Sequence, residues 1–366
     1  MTRRTVLVWL RRFVFAAVVL TAAFLSLVPI GRYLARAAYE EGKILARRQP
    51  IEALLADPAT DPALRSKLRL VLDARRFAID SLGLTAQQEF TTFSRLDRDT
   101  LVLVLSAAYR DSLAFRTWWF PVVGSVPYKG FFDFAAGKRE AKAVDAAGFD
   151  AVLRPAAAFS TLGWFNDPLL PTTLALDSLE LANTVIHELV HTTYYAPGQA
   201  VFNESVANFV GSRGAERFFR ARGQTRAADD VVKRWDDERV FGTFWSGLYT
   251  SLDSAFKAHP GDRTARLVAR DTVFAHARQQ LRTSYAPRLT TMDSASLARV
   301  RLNTAAVLAR RIYLTDLELF ESVYQREGGD IRATIAKLLD LARSQPKTPY
   351  RAVRKFLGAP DSNSVR

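Results

Sequence analysis

Two of the four histidines in this 366-residue chain stand four apart with a glutamate beside the first, in NTVIHELVHTTYYAPGQAVFNESVANFVG, residues 183–211. On a helix that advances 100° per residue, His191 lies about 40° from His187 and Glu188 about 100° away. Both imidazoles then rise on one side, one turn apart, with a carboxylate next to them. They can grip one divalent ion while Glu188 stays free to move a proton. The competing reading is an amphipathic helix that carries imidazoles by accident; with so few histidines the pattern is expected about 0.002 times in this chain. A catalytic zinc site needs a third protein ligand and keeps a fourth position for water. Pro197 occupies the place where a longer zinc motif would supply another histidine, so Glu204 in FNESVANFVG is the natural third ligand. A helix beginning near Asn203 and running antiparallel to the first would bring Glu204 over the ion. Asn208, one turn further, is a candidate to accept an imidazole N–H from outside the ligand set, or else an ordinary surface amide.

With His187, His191 and Glu204 holding zinc (Zn2+), the expected chemistry is hydrolysis, the ion acidifying a water and polarising a carbonyl. Glu188 would take the water's proton and hand it to the leaving group. The chain has no cysteine, which excludes disulfides, thiolate ligands and cysteine nucleophiles and leaves only His, Asp and Glu to hold a metal. Structural zinc favours closed, often thiolate-rich sets of four, another reason to expect a catalytic ion.

The formal charge of +14 raises the question of nucleic acid. Six arginines and no acid fall in residues 1–36, leaving a net +8 over the remaining 330 residues. No Lys/Arg stripe interleaved with aromatics and no zinc-finger spacing stands out, so no nucleic-acid partner is expected. Glycine-rich phosphate loops, nucleophile elbows and kinase signatures are also missing.

Elements must position this chemistry. Phe13 to Ile30 run eighteen residues without a charge, close to the roughly 20 needed to cross hydrocarbon. Arg3, Arg4, Arg11 and Arg12 precede them, which favours a cytoplasmic amino terminus and translocation of the rest. We read residues 1–36 as a tail plus single-pass transmembrane anchor, with a cleavable signal peptide ending near Ala35-Arg36-Ala37 as the alternative. Residues 37–366 form the catalytic domain. Its first part, 37–176, combines helices with a small sheet: Asp61 and Pro62 open a helix that Gly83 ends, Val- and aromatic-rich segments between 100 and 165 read as strands, and Phe134–Ala147 as a helix. From 177 to 366 the pattern is helical, with a capping box at Asp177 and Glu180 opening the metal helix and long helices at roughly 225–258, 262–284, 296–312 and 330–344. The fold class is α+β, a small mixed sheet lobe followed by a mostly helical one.

At the metal residues the chain resembles zinc peptidases of the glutamate-liganded zincin type, and FNESVA is similar to the stretch around the third ligand of the aminopeptidase N branch. Only twelve residues separate His191 from Glu204, fewer than that branch uses. The chain more closely resembles a bacterial family described as putative aminopeptidases. IEALLADPATDPALRSKL, DARRFAIDSLGL, WWFPVVGSVPYKGFFD, FSTLGWFNDPLL and FNESVANFVG are similar to that family's recurring blocks, with looser likeness through RLNTAAVLARRIY and REGGDI. Many members carry a lipidated cysteine after the signal; this chain has a hydrophobic segment instead.

The resemblance implies a zincin-like fold and a peptide or protein substrate. It also places a tyrosine at Tyr313 as the donor that stabilises the oxyanion, with Tyr194, Tyr195 and Tyr249 as rivals. In zincins a strand edge ahead of the metal helix pairs with the substrate backbone. AAFSTLGWF is positioned for this, with Gly163 allowing close approach, Trp164 walling a pocket and Asp167 available for a substrate ammonium. Asn303 is a further substrate-contact candidate. The expectation is a zinc metallopeptidase anchored in the bacterial inner membrane and facing the periplasm, of undetermined oligomeric state. The alternatives are a non-enzymatic envelope scaffold and a zinc hydrolase of another amide or ester.

Overall fold

The computed structural model describes residues 3–96, 102–121, 124–155 and 168–360. It begins with α1 (Arg3–Leu27), whose stretch Thr5–Leu27 is long and apolar enough to cross a membrane and has no buried residue in its apolar window. Pro29 has no N–H to continue the ladder, and the chain bends there into α2 (Pro29–Ala46). Gly31 sits directly against the Phe24 carbonyl, where any side chain would collide. One face of α2 is apolar enough to dock on the body, burying Ile44, and Glu40 is buried between Arg36 and Lys43. The expected boundary at residue 36 therefore falls inside a continuous helix.

Short elements follow: β1 (Arg48–Pro50), α3 (Ile51–Ala56), α4 (Pro62–Asp80) and β2 (Thr92–Ser94), with β2 antiparallel to β1. Asp61 caps α4 by accepting from the Leu64 N–H at 2.9 Å, and Gly83 adopts φ +75° just past its end. The main sheet is built on β3 (Leu103–Tyr109), flanked by β4 (Phe115–Arg116) and β7 (Tyr128–Phe131) on one side and β8 (Phe149–Pro155) on the other, all antiparallel. A two-stranded hairpin of β5 (Trp118–Phe120) and β6 (Gly124–Val126) leaves this sheet. The helix α5 (Phe134–Ala146), capped by Asp133, joins β7 to β8 and covers one face.

The rest is helical: α6 (Pro171–Leu174), α7 (Ser178–Thr193), α8 (Ala200–Ala221), α9 (Thr225–Lys257), α10 (Arg263–Gln280), α11 (Ser294–Ala298), α12 (Thr304–Leu314), α13 (Leu317–Arg326), α14 (Ile331–Ser344) and α15 (Pro349–Leu357). The helix expected over 296–312 is two helices. Asn303 breaks it, its Oδ1 accepting from Ala306 N–H at 2.8 Å to start α12 afresh, while its Nδ2 donates to the Ala151 carbonyl of β8 at 3.3 Å. The helix expected to 284 gives way after Gln280 to a π-turn over Leu281–Tyr285.

One core runs from α4 through the helical part. Leu68, Val71, Ala74 and Ala78 pack with Leu181, Val185, Ile186 and Leu189 of α7 and with Phe209 and Trp235 beyond. The sheet is fastened to this core by buried Asp150 of β8, which accepts from Arg110, from Arg270 at 2.5 Å and from the Thr304 N–H of α12 at 2.7 Å. A buried carboxylate costs several kcal/mol unless matched in this way. Leu308 and Ala305 of α12 close against Ala108 and Val152.

Candidate metal centre

The helix that carries His187 and His191 starts where its sequence says it should. Asp177 Oδ1 accepts from the N–H groups of Leu179 and Glu180 at 3.0 Å each, and Arg234 of α9 grips the same carboxylate at 2.7 Å. Six residues of the α7 apolar face, Leu181, Ala182, Val185, Ile186, Leu189 and Val190, enter the core, which turns His187 and His191 toward α8. The turn between the helices is closed by Asn203, whose amide accepts from Ala196 N–H and donates to Ala196 C=O, both at 2.9 Å. Gly198 supplies φ +75° in that turn. The second helix begins at Ala200, three residues before the expected start, because this clasp lets Asn203 sit inside the first turn of α8 and not at its cap.

α8 comes unusually close to α7. At Gly211 a Cβ would lie 3.2 Å from His187 Cβ and 3.1 Å from the Asn183 carbonyl, and at Gly214 one would lie 2.9 Å from Ile186. Asn183 Nδ2 donates to Ser212 Oγ at 3.1 Å across the same seam. These glycines permit Glu204 to reach both imidazoles.

His187 Nε2 stands 3.2 Å from His191 Nε2 and 3.3 Å from Glu204 Oε2, and His191 Nε2 stands 3.5 Å from Glu204 Oε1. A tetrahedral ion with ligands at about 2.0–2.1 Å separates its ligand atoms by about 3.3–3.4 Å, and each of these spacings, with one Glu204 oxygen facing each imidazole, lies close to that value. Two imidazole nitrogens this close, sharing one carboxylate, are a donor set suited to a divalent ion. All three side chains are partly buried. Burial favours a neutral Glu204, yet the hydrogen bonds from His187 and His191 overcome it and hold the carboxyl at about 2. Burial likewise opposes charge on His191, and the Glu204 bond, aided by Glu188, turns the net shift upward.

The wall facing the triad is α12. Ser205, next to Glu204 and fully buried, donates to the Ile312 carbonyl at 3.2 Å and accepts from Thr315 N–H at 3.3 Å, which docks the end of α12 beside the ligands. Tyr313 is thereby within electrostatic reach of Glu204 and Glu188; partial burial, then these two carboxylates, raise its pKa, while the nearby Arg154 guanidinium lowers it. Arg154 shares a face of β8 with Asp150 and Val152, the face that α12 covers. Arg310, one turn before Tyr313, is exposed and lies close enough to Arg154 and Glu238 to feel both charges.

Asn208 donates to Glu238 Oε2 at 2.8 Å and to the Tyr313 carbonyl at 3.4 Å, so its amide joins α8 to α9 and α12. Burial, opposed by that Asn208 bond and reinforced by Glu180, pushes Glu238 up to about 7. Tyr195 is exposed with its ring 6.2 Å from His191, Tyr194 is packed under Arg343, and Tyr249 lies beneath Arg311. Asn303 is committed to capping. Gly163, Trp164 and Asp167 lie outside the described residues. The reading from sequence passed over Arg154, Arg310 and Glu238; only the alternation of FDAVLRP, which puts Arg154 on one face with Asp150, carries a signal for any of them.

No curated protein and no solved structure matches the chain. A family model described as "Putative aminopeptidase" matches residues 32–352, from just beyond the bend at Pro29 to the last helix, and so takes in α7, α8 and α12 together. Since that match covers nearly the whole chain and every residue of the candidate centre, the protein belongs to this aminopeptidase family.

Proposed function

We propose that the protein is a membrane-tethered, zinc-dependent peptidase of the zincin type, with its catalytic domain in the periplasm. The observation that carries this reading is the triangle of 3.2, 3.3 and 3.5 Å among His187, His191 and Glu204 with Glu188 adjacent on the same helix. Family membership supports peptide hydrolysis, and the apolar length of α1 behind Arg3, Arg4, Arg11 and Arg12 supports the tether.

When bound, the zinc ion supplies Lewis acidity toward a substrate carbonyl and toward water. Glu188, one residue past His187 and not part of the triangle, accepts a proton from the attacking water as its oxygen bonds to the carbonyl carbon. The same carboxyl returns the proton to the departing nitrogen as the C–N bond breaks, so that an amine and a carboxylate leave. Tyr313 donates its hydroxyl hydrogen toward the carbonyl oxygen as negative charge builds there. Arg154, whose positive charge lies close enough to Tyr313 to lower its pKa, adds to the positive field where that charge builds. Burial and the nearby carboxylates keep Tyr313 protonated and able to donate at neutral pH.

The test uses full-length protein in detergent, metal analysis and mass spectrometry of a peptide mixture. Wild type is expected to hold one zinc and to cleave. Glu188→Gln should hold the same zinc and lose roughly 10²–10⁴ in turnover. Metal at full occupancy without any Glu188-dependent cleavage would turn the reading to a binding scaffold. Release of single amino-terminal residues, against internal cuts, separates exopeptidase from endopeptidase.

A further inference from the structure

The hairpin β5–β6 shows an alternation that the hydrolytic reading does not use. Trp118 and Phe120 are buried, while Trp119 between them is 66% exposed and pairs with exposed Ser125 on the outer face. Tyr128, at the start of β7, is also exposed. An indole left in solvent on a short strand costs hydrophobic free energy with no packing in return.

The inner face of this hairpin is held against the first turns of α2. Phe120 meets the Tyr33 ring at a centroid distance of 5.5 Å, and Ile30 and Leu34 pack into the same cluster. Tyr33 lies six residues beyond Leu27, the end of the apolar span. At about 1.5 Å of rise per residue, the hairpin is tied within about 9 Å of the hydrocarbon edge, and the bend at Pro29 can only shorten that distance along the membrane normal. A headgroup layer is roughly 5–8 Å thick on each side. Trp and Tyr favour this layer because the ring is apolar and the N–H or O–H stays wet.

Cations lie against the inner side of the hairpin and along α2. Arg116 lies over the Trp118 ring at 5.0 Å, Lys129 over Tyr33 at 5.7 Å, and Arg32 is exposed on α2. The acids nearby are engaged: Glu140 stands 3.9 Å from Lys129, Asp133 caps α5, and Glu40 is buried between Arg36 and Lys43.

We propose that the β5–β6 hairpin is a second membrane contact, seating Trp119 in the headgroup layer of the bilayer that α1 crosses. This rests on the reading of α1 as a span. A span with a surface contact beside it fixes the tilt of the domain, whereas a span alone leaves it free to swing.

The chain lacks cysteine, so single introduced thiols can be spin-labelled without background. Full-length protein is reconstituted in phosphatidylethanolamine–phosphatidylglycerol vesicles, and labels are compared at Trp119→Cys, at Ser125→Cys on the same outer face, at Val14→Cys in mid-span and at exposed Val268→Cys on α10. The expected result is that labels at 119 and 125 collide with an aqueous nickel chelate about fivefold less than the label at 268, and less with oxygen than the label at 14, as headgroup depth requires. If positions 119 and 125 match 268 while 14 is within hydrocarbon, the hairpin contact is refuted and the span stands. If 14 is also aqueous, the span reading fails and the contact falls with it. A folding defect in one variant is separated by the other, since the two residues pair across the hairpin and must report the same depth.

Discussion

Adding one methyl group at Gly211 tests whether the close approach of α7 and α8 is what sets the metal triangle. In Gly211→Ala the new Cβ lies 3.1 Å from the Asn183 carbonyl and 3.2 Å from His187 Cβ, and closer still to Asn183 Oδ1. The Asn183 amide can rotate away by giving up its bond to Ser212, but the other two contacts belong to the body of α7. Restoring them to the ordinary range, which begins at 3.4 Å, moves the helices apart by 0.2–0.3 Å. Metal–ligand distances tolerate about 0.2 Å, so the shift consumes the whole margin of the Glu204 edges at 3.3 and 3.5 Å. The His187–His191 edge, inside one helix, is untouched. We expect zinc affinity to fall about tenfold or more, on the scale seen when support around a metal site is lost. The metal-free protein should lose about 1–3 kcal/mol by overpacking. With about 2.1 cal/mol/K per residue, this 366-residue chain has an unfolding entropy near 0.8 kcal/mol/K, so the melting temperature should drop by roughly 1–4 °C. Gly247→Ala is the control: it lies on the exposed side of α9 with nothing within 4 Å of its Cβ, and should gain about 1 kcal/mol with zinc affinity unchanged. Chelator competition and thermal melting with and without EDTA read both quantities. Gly211→Ala binding zinc as tightly as wild type would refute the argument that this seam positions Glu204.

Tyr313→Phe should leave zinc content unchanged and lower kcat by roughly 10²–10³, the cost of one oxyanion donor, with little change in KM; an unchanged kcat would remove Tyr313 from the reaction. The contribution of the His187, His191 and Glu204 cluster to the stability of the metal-free protein, read as the melting difference between wild type and Glu204→Gln, should be greatest between about pH 4.5 and 6.5. Below that window Glu204, held at about 2 when folded, is progressively protonated and at most about 3 kcal/mol is lost. Above it His191, whose folded pKa is raised, gives up its proton and its attraction to Glu204 is lost; a melting difference between wild type and Glu204→Gln that stays flat from pH 3 to 8 would contradict both shifts. Glu238, pushed up to about 7 mainly by burial, destabilises the fold as pH rises from 4.5 to 7, so Glu238→Gln should gain at most about 3 kcal/mol above pH 7 and nothing below pH 4.5, measured by denaturant titration at each pH.

What the sequence disclosed was local. Asp177 announces α7, Asp61 with Pro62 announces α4, and the four-residue spacing of His187 and His191 fixes which side of the helix they share, because caps and helical periodicity act within one or two turns. Glu204 was the natural candidate once Pro197 stood where a longer motif would place a histidine, on the expectation of an antiparallel return after the short turn from Tyr194 to Gln199. What stayed hidden depends on contacts between distant segments. The break at Asn303 is decided by the Ala151 carbonyl of β8, and the role of Gly211 by the backbone of α7. Arg154 and Arg310 feel one another's charge across the α12–β8 contact, which the Asp150 bond to the Thr304 N–H helps to hold, a pairing across 154 residues that no periodicity in either segment encodes.

The triangle of ligands closes over eighteen residues, whereas Tyr313 comes from 125 residues beyond Glu188 and is held in place by the Ser205 bonds to α12. Closing the longer loop costs more chain entropy, by about 1.5RT times the logarithm of the length ratio, or roughly 2 kcal/mol. On the reading proposed, ion capture is thus a near-neighbour event and competence a late one. If that reading holds, a chain still being made would bind its ion once α8 has packed on α7 and would stay idle until the carboxy-terminal third brings Tyr313 to the cleft.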